Sequence, residues 1–181
     1  MNKHLKEYFF LLPVSVTIIA LDQITKFLVR ANLAQGEVWS PWPWLLPYAR
    51  IVHWYNTGVA FGMLQGQNWL FAILAVIIAS AIFYLYPRLS KEDWLFRLAL
   101  ALQFGGAVGN LIDRIQVGHV TDFISVGNFA VFNIADASIT IGVLMMIVGI
   151  WWKDRQEDQS AQEDERKTGK PDIRSISATK K

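Results

Sequence analysis

Hydrophobic residues lie in four long blocks that polar stretches separate. The blocks 9–29, 69–86, 94–112 and 131–152 carry few charges, and each is long enough to cross a hydrocarbon layer of about 30 Å as an α-helix. The first block follows a basic start, as in a cleaved signal peptide, but it lacks a small-x-small cleavage site. The pattern therefore predicts an all-α membrane protein with four transmembrane helices in one membrane-embedded domain, residues 1–152.

The polar stretches differ in character. Residues 31–67 hold three prolines and four tryptophans, which exclude a continuous helix and indicate a segment on the bilayer surface. The β-branched and aromatic residues of 50–61 predict a short strand or hairpin. Residues 113–130 are predicted to form a loop or re-entrant piece. Residues 153–181 are charged without an apolar period, which predicts a disordered tail.

Lysine and arginine predict the orientation. Four spans place both termini and the 87–93 connector on one side. Seven basic residues flank the spans there, against three on the other side: Lys3, Lys6, Arg88, Lys91, Arg97, Lys153 and Arg155 against Arg30, Arg50 and Arg114. The excess predicts cytoplasmic termini. Segments 31–67 and 113–130 then face the outside.

Composition narrows the function classes. Hydrophobic residues make up 53% of the chain, with a mean hydropathy of +0.29, which is typical of a membrane protein. The net charge of +2 without a basic patch argues against nucleic-acid binding. The absence of cysteine excludes disulfides and a cysteine nucleophile. The three histidines are not at ligand spacing, so neither a zinc site nor another cofactor is predicted.

Polar side chains from separate parts of the chain fall at one predicted depth, near the outer face. They are Asp22, Lys26, Asn56, Asn110, Asp113, Arg114, Asp122, Asn133 and Asp136. Charges at the edge of a bilayer are costly to maintain. Their convergence therefore predicts a functional site.

Asp122 and Asp136 are the candidate catalytic residues. Two carboxylates held close together share one proton, which provides a base for water and an acid for a scissile carbonyl. Alternatively, each aspartate caps a helix or pairs with Arg114 or Lys26. Asn133 lies three positions before Asp136, so it either orients that carboxylate or caps the helix.

The sequence leaves several roles open for the other polar residues. Asp22 and Lys26 are four apart, which predicts an ion pair on one helix that is structural or positioning. The Arg114 guanidinium suits a carboxylate, a phosphate or a backbone turn, and Asn110 faces the same way. The Asn56 amide either binds the main chain of an extended peptide or belongs to a simple turn.

Five motifs resemble those of the lipoprotein signal peptidases, the signal peptidase II family. In order, they are DQITK (22–26), NTGVAFG (56–62), GGAVGNLIDR (105–114), VTDF (120–123) and FNIADASI (132–139). The resemblance implies an aspartic endopeptidase of the bacterial inner membrane. Such an enzyme cleaves signal peptides from prolipoproteins just before a cysteine that carries a diacylglyceryl group.

The resemblance also assigns roles and partners. Asp122 and Asp136 would be catalytic, and the remaining polar residues would bind substrate or support the site: Asn56, Asn110, Arg114, Asn133, Asp22, Lys26 and Asp113. Residues 31–67 would form a small extracytoplasmic β-element and a surface helix. The expected partners are diacylglyceryl-modified prolipoproteins, membrane lipid and globomycin-type inhibitors. The expected state is a monomer.

Two other classes of function remain. A proton-coupled carrier would use the intramembrane Asp and Lys residues as a relay, although the polar groups cluster at one face and no repeat of spans is visible. A non-catalytic assembly factor would use the GG-x-x-G-type helix contact. It predicts that neutralising both aspartates changes nothing.

Overall fold

Four long helices dominate the protein. The computed structural model describes residues 3–58 and 64–168, with helices α1 (Lys3–Asn32), α2 (Asn68–Leu85), α3 (Trp94–Gln116) and α4 (Ile134–Thr168). Within these two ranges, four segments are long and apolar enough to cross a membrane: Glu7–Asn32, Asn68–Arg88, Trp94–Gln116 and Ile134–Ser160. The predicted fold class, a helical membrane protein with four spans, is confirmed.

Helix α3 lies at the centre and packs against the other three long helices. Its glycines allow this close approach. A Cβ atom on Gly105 would lie 2.9 Å from the Ile18 side chain of α1, and one on Gly106 would lie 2.5 Å from the Ala135 carbonyl oxygen of α4. Backbone contact on two sides therefore brings α1 and the start of α4 close to α3, as the GGAVGN sequence indicates.

Gly106→Ala is expected to destabilise the helix packing. The added methyl would meet the backbone of Ala135, which cannot rotate away, so we expect a loss of about 1–3 kcal/mol in the free energy of unfolding. The measurement is reversible unfolding in detergent. Gly149→Ala is the matched control, because its Cβ would meet only the movable Phe96 and Leu95 side chains. Equal unfolding of the two variants would contradict the close-packing role of Gly106.

A small antiparallel sheet covers one end of the helices. Its strands are β1 (Val38–Trp39), β2 (Ala49–Asn56) and β3 (Val120–Val126), in the order β1-β2-β3. The predicted strand within 50–61 corresponds to β2. A single 3₁₀ turn, Pro43–Leu45, joins β1 to β2. Beyond the end of α1 at Asn32, this turn is the helical structure in the described part of 31–67. Residues 59–63, which include the last four residues of the NTGVAFG motif, lie outside the described residues.

The predicted loop at 113–130 is wrong in two places. Helix α3 continues through Gln116, and residues Val120–Val126 form β3. The β-branched and aromatic residues of VTDFISV suit a strand, and β2 supplies a pairing partner that places Tyr55 opposite Thr121 and Trp54 opposite Asp122. Asp122 is therefore on a strand rather than in a loop.

The predicted disordered tail is also wrong in its described part. Helix α4 continues beyond the membrane span through Thr168. Residues 153–168 contain no glycine or proline and are rich in Glu, Gln, Lys and Arg, which are good helix formers. Extending an existing helix needs no new nucleation, so a charged sequence remains helical here. Residues 169–181 lie outside the described part of the chain.

Candidate active site

Asp122 sits in β3 with both carboxylate oxygens occupied. Asn56, at the end of β2, donates its side-chain amide to Oδ2 at 2.9 Å, and Asn133 donates its amide to Oδ1 at 2.7 Å. The side-chain oxygen of Asn56, Oδ1, accepts the Gly58 N–H at 3.0 Å. This bond fixes the orientation of the Asn56 side-chain amide. Asp122 is fully buried. These contacts hold the carboxylate in one orientation.

Asp136 lies in the first turn of α4, and Asn133 precedes that helix. The Asp136 N–H donates to Asn133 Oδ1 at 2.9 Å, and the Asn133 N–H donates back to Asp136 Oδ2 at 3.2 Å. This reciprocal arrangement has the pattern of a capping box. Asn110 of α3 donates to Asp136 Oδ1 at 2.7 Å. The two interpretations of Asn133 are therefore compatible, because its oxygen caps α4 while its amide nitrogen reaches Asp122.

The surroundings of Asp122 favour its protonated form. Burial, followed by the nearby negative charge of Asp136, raises the pKa of Asp122 to about 7. Hydrogen bonds from Asn56 and Asn133 and the positive charge of Lys26 act in the opposite direction. Two carboxylates that interact in this way titrate as a pair, and such a pair can hold one proton near neutral pH.

A buried cluster of charges lies beside the aspartates. Lys26 Nζ lies 2.8 Å from Asp22 Oδ2 and 3.3 Å from Asp113 Oδ2, and it donates to the side-chain oxygen of Asn110 at 2.9 Å. Asp22 also accepts the Ala135 N–H at 3.0 Å. The predicted (i, i+4) ion pair is thus present. It connects α1 to α3 and to the first turn of α4.

Asp113 and Arg114 point in different directions, as their adjacency predicts. Asp113 faces the buried charge cluster. Arg114 lines a cleft, and its Nε is buried without a hydrogen-bond partner among the described residues. Its guanidinium carbon lies 5.7 Å from the centroid of the Phe71 ring. Arg114 therefore offers a cation to a ligand in the cleft.

Sequence reasoning missed three polar residues of this region. Arg30 Nη1 lies 3.3 Å from Asp113 Oδ1 and donates to Thr121 Oγ1 at 3.0 Å. Gln23 donates to the Gly109 carbonyl at 3.0 Å and to Asp113 at 3.3 Å. The spacing of Asp22, Lys26 and Arg30, four residues apart along one helix, was a signal that could have identified Arg30.

The cleft has a volume of about 510 Å³, which is within the usual range for ligand sites. Four residues of the candidate site and Thr140 provide its polar lining, and the rest is mainly apolar. Asp122 is fully buried and is not among the lining residues. It is lined by Asn56, Gly58, Asn110, Arg114, Val120, residues 129–132, Asp136, Ala137 and residues 139–141. A second groove of about 630 Å³ between α1 and the sheet has no charged lining residue. Of the two, the smaller cleft is the one that charged side chains line, namely Arg114 and Asp136.

Known proteins are similar to this chain in sequence. Residues 14–152 match the family model described as signal peptidase (SPase) II. The lipoprotein signal peptidase of Shouchella clausii is 42% identical over 152 residues, covering 81% of this chain and 96% of the relative. That of Listeria monocytogenes is 37% identical over 153 residues, covering 82% of this chain and 96% of the relative.

Solved structures share the fold. A bacterial membrane enzyme determined by the in meso method at 2.3 Å resolution superposes with a TM-score of 0.74 at 32% identity, covering 80% of this chain and 88% of that one. A second, determined at 1.9 Å, gives 0.69 at 33% identity, covering 77% of this chain and 91% of that one. Given the helices, the motifs and these relatives, the chain belongs to the signal peptidase II family.

Proposed function

We propose that this protein removes signal peptides from prolipoproteins as an intramembrane aspartic endopeptidase, with Asp122 and Asp136 as the catalytic pair. The observation that carries this proposal is the link through Asn133. This one residue hydrogen-bonds both carboxylates, which come from a strand and a helix. Shared hydrogen-bond donors of this kind orient two carboxylates towards a common substrate position.

The reaction uses one proton held by the pair. The ionised carboxylate takes a proton from water while the protonated one hydrogen-bonds the scissile carbonyl oxygen, and the water oxygen adds to the carbonyl carbon. The tetrahedral intermediate then collapses as a proton passes to the leaving amine of the cysteine. The C–N bond breaks, and the pair returns to its single-proton state. No covalent enzyme intermediate forms.

The cleft suits a lipid-linked peptide. Its apolar lining can take side chains of the signal peptide, and Arg114 supplies a cation beside the reacting groups. We place the site near the outer face of the bacterial inner membrane, with both termini cytoplasmic, because lysine and arginine are in excess around the termini and the 87–93 connector. The active unit is a monomer. Globomycin-type cyclic peptides would inhibit it by occupying the cleft.

The proposed function is tested with purified protein and a synthetic peptide that carries a diacylglyceryl group on its cysteine. We expect one cut, located by mass spectrometry, just before the modified cysteine. The same peptide without the lipid is the control and should be cut far more slowly. A metal chelator should not change the rate. No cleavage of the lipidated peptide, or cleavage that the chelator abolishes, would contradict the proposal.

Asn56→Leu is expected to move the pH dependence of cleavage. Burial and Asp136 raise the pKa of Asp122, and the Asn56 hydrogen bond lowers it, with a net value of about 7. The single-proton state of the pair is lost as the pH rises through this pKa, so kcat/KM falls on the alkaline side near pH 7. Without the amide the pKa rises, and the alkaline limb should shift to higher pH.

The measurement is a pH–rate profile of kcat/KM for both proteins. Asn32→Leu is the matched control, since Asn32 bonds only the Leu28 carbonyl within α1, and it should leave the limb in place. A limb that stays fixed in Asn56→Leu would show that Asp122 does not control it.

A further inference from the structure

Thr121 precedes Asp122 in β3 and is fully buried. Its N–H donates to Asp113 Oδ2 of helix α3 at 2.9 Å. In the described part of the chain, β3 pairs with β2 as the last strand in the order β1-β2-β3, and its further backbone pairing is an isolated bridge between Ile124 and Phe132, away from Thr121. A carboxylate from α3 thus supplies the hydrogen bond that a neighbouring strand would otherwise provide at this point.

Arg30 adds a third element to this contact. Its Nη1 donates to the Thr121 hydroxyl at 3.0 Å and lies 3.3 Å from Asp113 Oδ1. A single nitrogen near the end of α1 therefore reaches both α3 and β3. The Arg30 side chain is 25% exposed, whereas Asp113 and Thr121 are buried.

Successive side chains of a strand point to opposite faces. The Thr121 hydroxyl accepts a hydrogen bond from Arg30, whereas the Asp122 carboxylate accepts hydrogen bonds from Asn56 and Asn133. A displacement of Thr121 therefore moves Asp122 through the backbone that joins them, without contact between the two side chains.

We propose that Arg30 and the Thr121 hydroxyl form a positioning contact that fixes β3, and with it the Asp122 carboxylate, against α1 and α3. This inference rests on the proposed catalytic role of Asp122. Neither residue touches the reacting atoms. Their role is to hold the strand at the distance that the two-carboxylate reaction needs.

The Thr121 hydroxyl can be removed almost without changing the volume. Thr121→Val deletes the acceptor for Arg30 and keeps the backbone bond to Asp113. Since misplacing a catalytic group by about 1 Å costs about 100-fold in rate, we expect a partial displacement to lower kcat by about tenfold. Substrate binding does not involve this contact, so KM should stay within about twofold. Thr121→Ser keeps the hydroxyl and should restore most of kcat.

The experiment measures kcat and KM separately for Thr121→Val, Thr121→Ser, Arg30→Met and the Arg30→Met/Thr121→Val double variant. Thr17→Val is the control, because its hydroxyl bonds only the Pro13 carbonyl within α1. Since Arg30 and Thr121 act through one contact, the double variant should lose little more than Arg30→Met. The Thr121 comparison stands alone if Arg30→Met does not fold.

Three results would overturn the inference: Thr121→Val with the wild-type kcat, equal losses in Thr121→Val and Thr121→Ser, or losses that multiply in the double variant. Asp122→Asn is measured in parallel. If Asp122→Asn remains active, the proposed function fails. If it is inactive and Thr121→Val behaves like wild type, only the positioning role fails.

Discussion

Replacing either Asp122 or Asp136 by asparagine should lower the rate of prolipoprotein cleavage by about 10⁴-fold or more, as for other residues that act as a catalytic unit. Asparagine keeps the shape of the side chain, but it can neither accept the proton of water nor give one to a carbonyl. With either carboxylate gone, the acid and the base are no longer both present. The measurement is single-turnover cleavage of a diacylglyceryl-modified peptide.

The folded state should survive both substitutions. Each carboxylate accepts hydrogen bonds on both of its oxygens, and the single side-chain oxygen of asparagine can accept one of them. We therefore expect the fold to be retained with a loss of about 1–3 kcal/mol in the free energy of unfolding in detergent. Asp93→Asn is the control. Asp93 precedes the start of α3 and pairs with the half-exposed Lys153 rather than with a residue of the site, so this variant should cleave normally. Normal cleavage by either active-site variant would refute the mechanism.

Lys26→Met should cause the largest loss of stability. Lys26 is fully buried between Asp22 and Asp113. Its removal leaves two buried carboxylates with less positive charge, and breaking a buried ion pair from one side costs about 3–5 kcal/mol. Methionine preserves most of the side-chain volume, so the loss comes from the charge. The measurement is the free energy of unfolding in detergent.

Lys91→Met is the matched control for that experiment. Lys91 pairs with Glu7 at 3.3 Å, but its side chain is 73% exposed, and an exposed ion pair contributes about 0–1 kcal/mol. Similar losses in the two variants would mean that the buried cluster does not stabilise the fold through its charges. A loss in Lys26→Met alone supports the structural role of the Asp22–Lys26 pair.

The spans could be predicted from sequence because hydrophobicity over a membrane-length segment is a strong local signal. The proximity of Asp22, Asn110 and Asp136 also followed, since a chain that crosses the membrane four times returns to the same depth.

Strand β3 was missed because Val120–Val126 is short and contains Asp122 and Ser125, both unfavourable in an isolated strand. Only pairing with β2, which is distant in sequence, makes it a strand.

Arg30 shows a second limit of sequence reasoning. It lies at the end of an apolar block, where an arginine is typical of a membrane interface, and its four-residue spacing from Lys26 is the sequence signal that links it to the site. Its role depends on the approach of Thr121, which is 91 residues away. The helical course of residues 153–168 was missed for a different reason, because composition predicts disorder only when no existing helix leads into the segment.

An infrared titration of the protonated-carboxyl stretch in the purified protein tests directly whether Asp122 and Asp136 share a proton. We expect a carboxyl that titrates near pH 7 in the wild type, disappears in Asp122→Asn, and titrates at lower pH in Asp136→Asn, because the negative charge of Asp136 helps to raise the pKa of Asp122. A titration in Asp136→Asn that matches the wild type would contradict it.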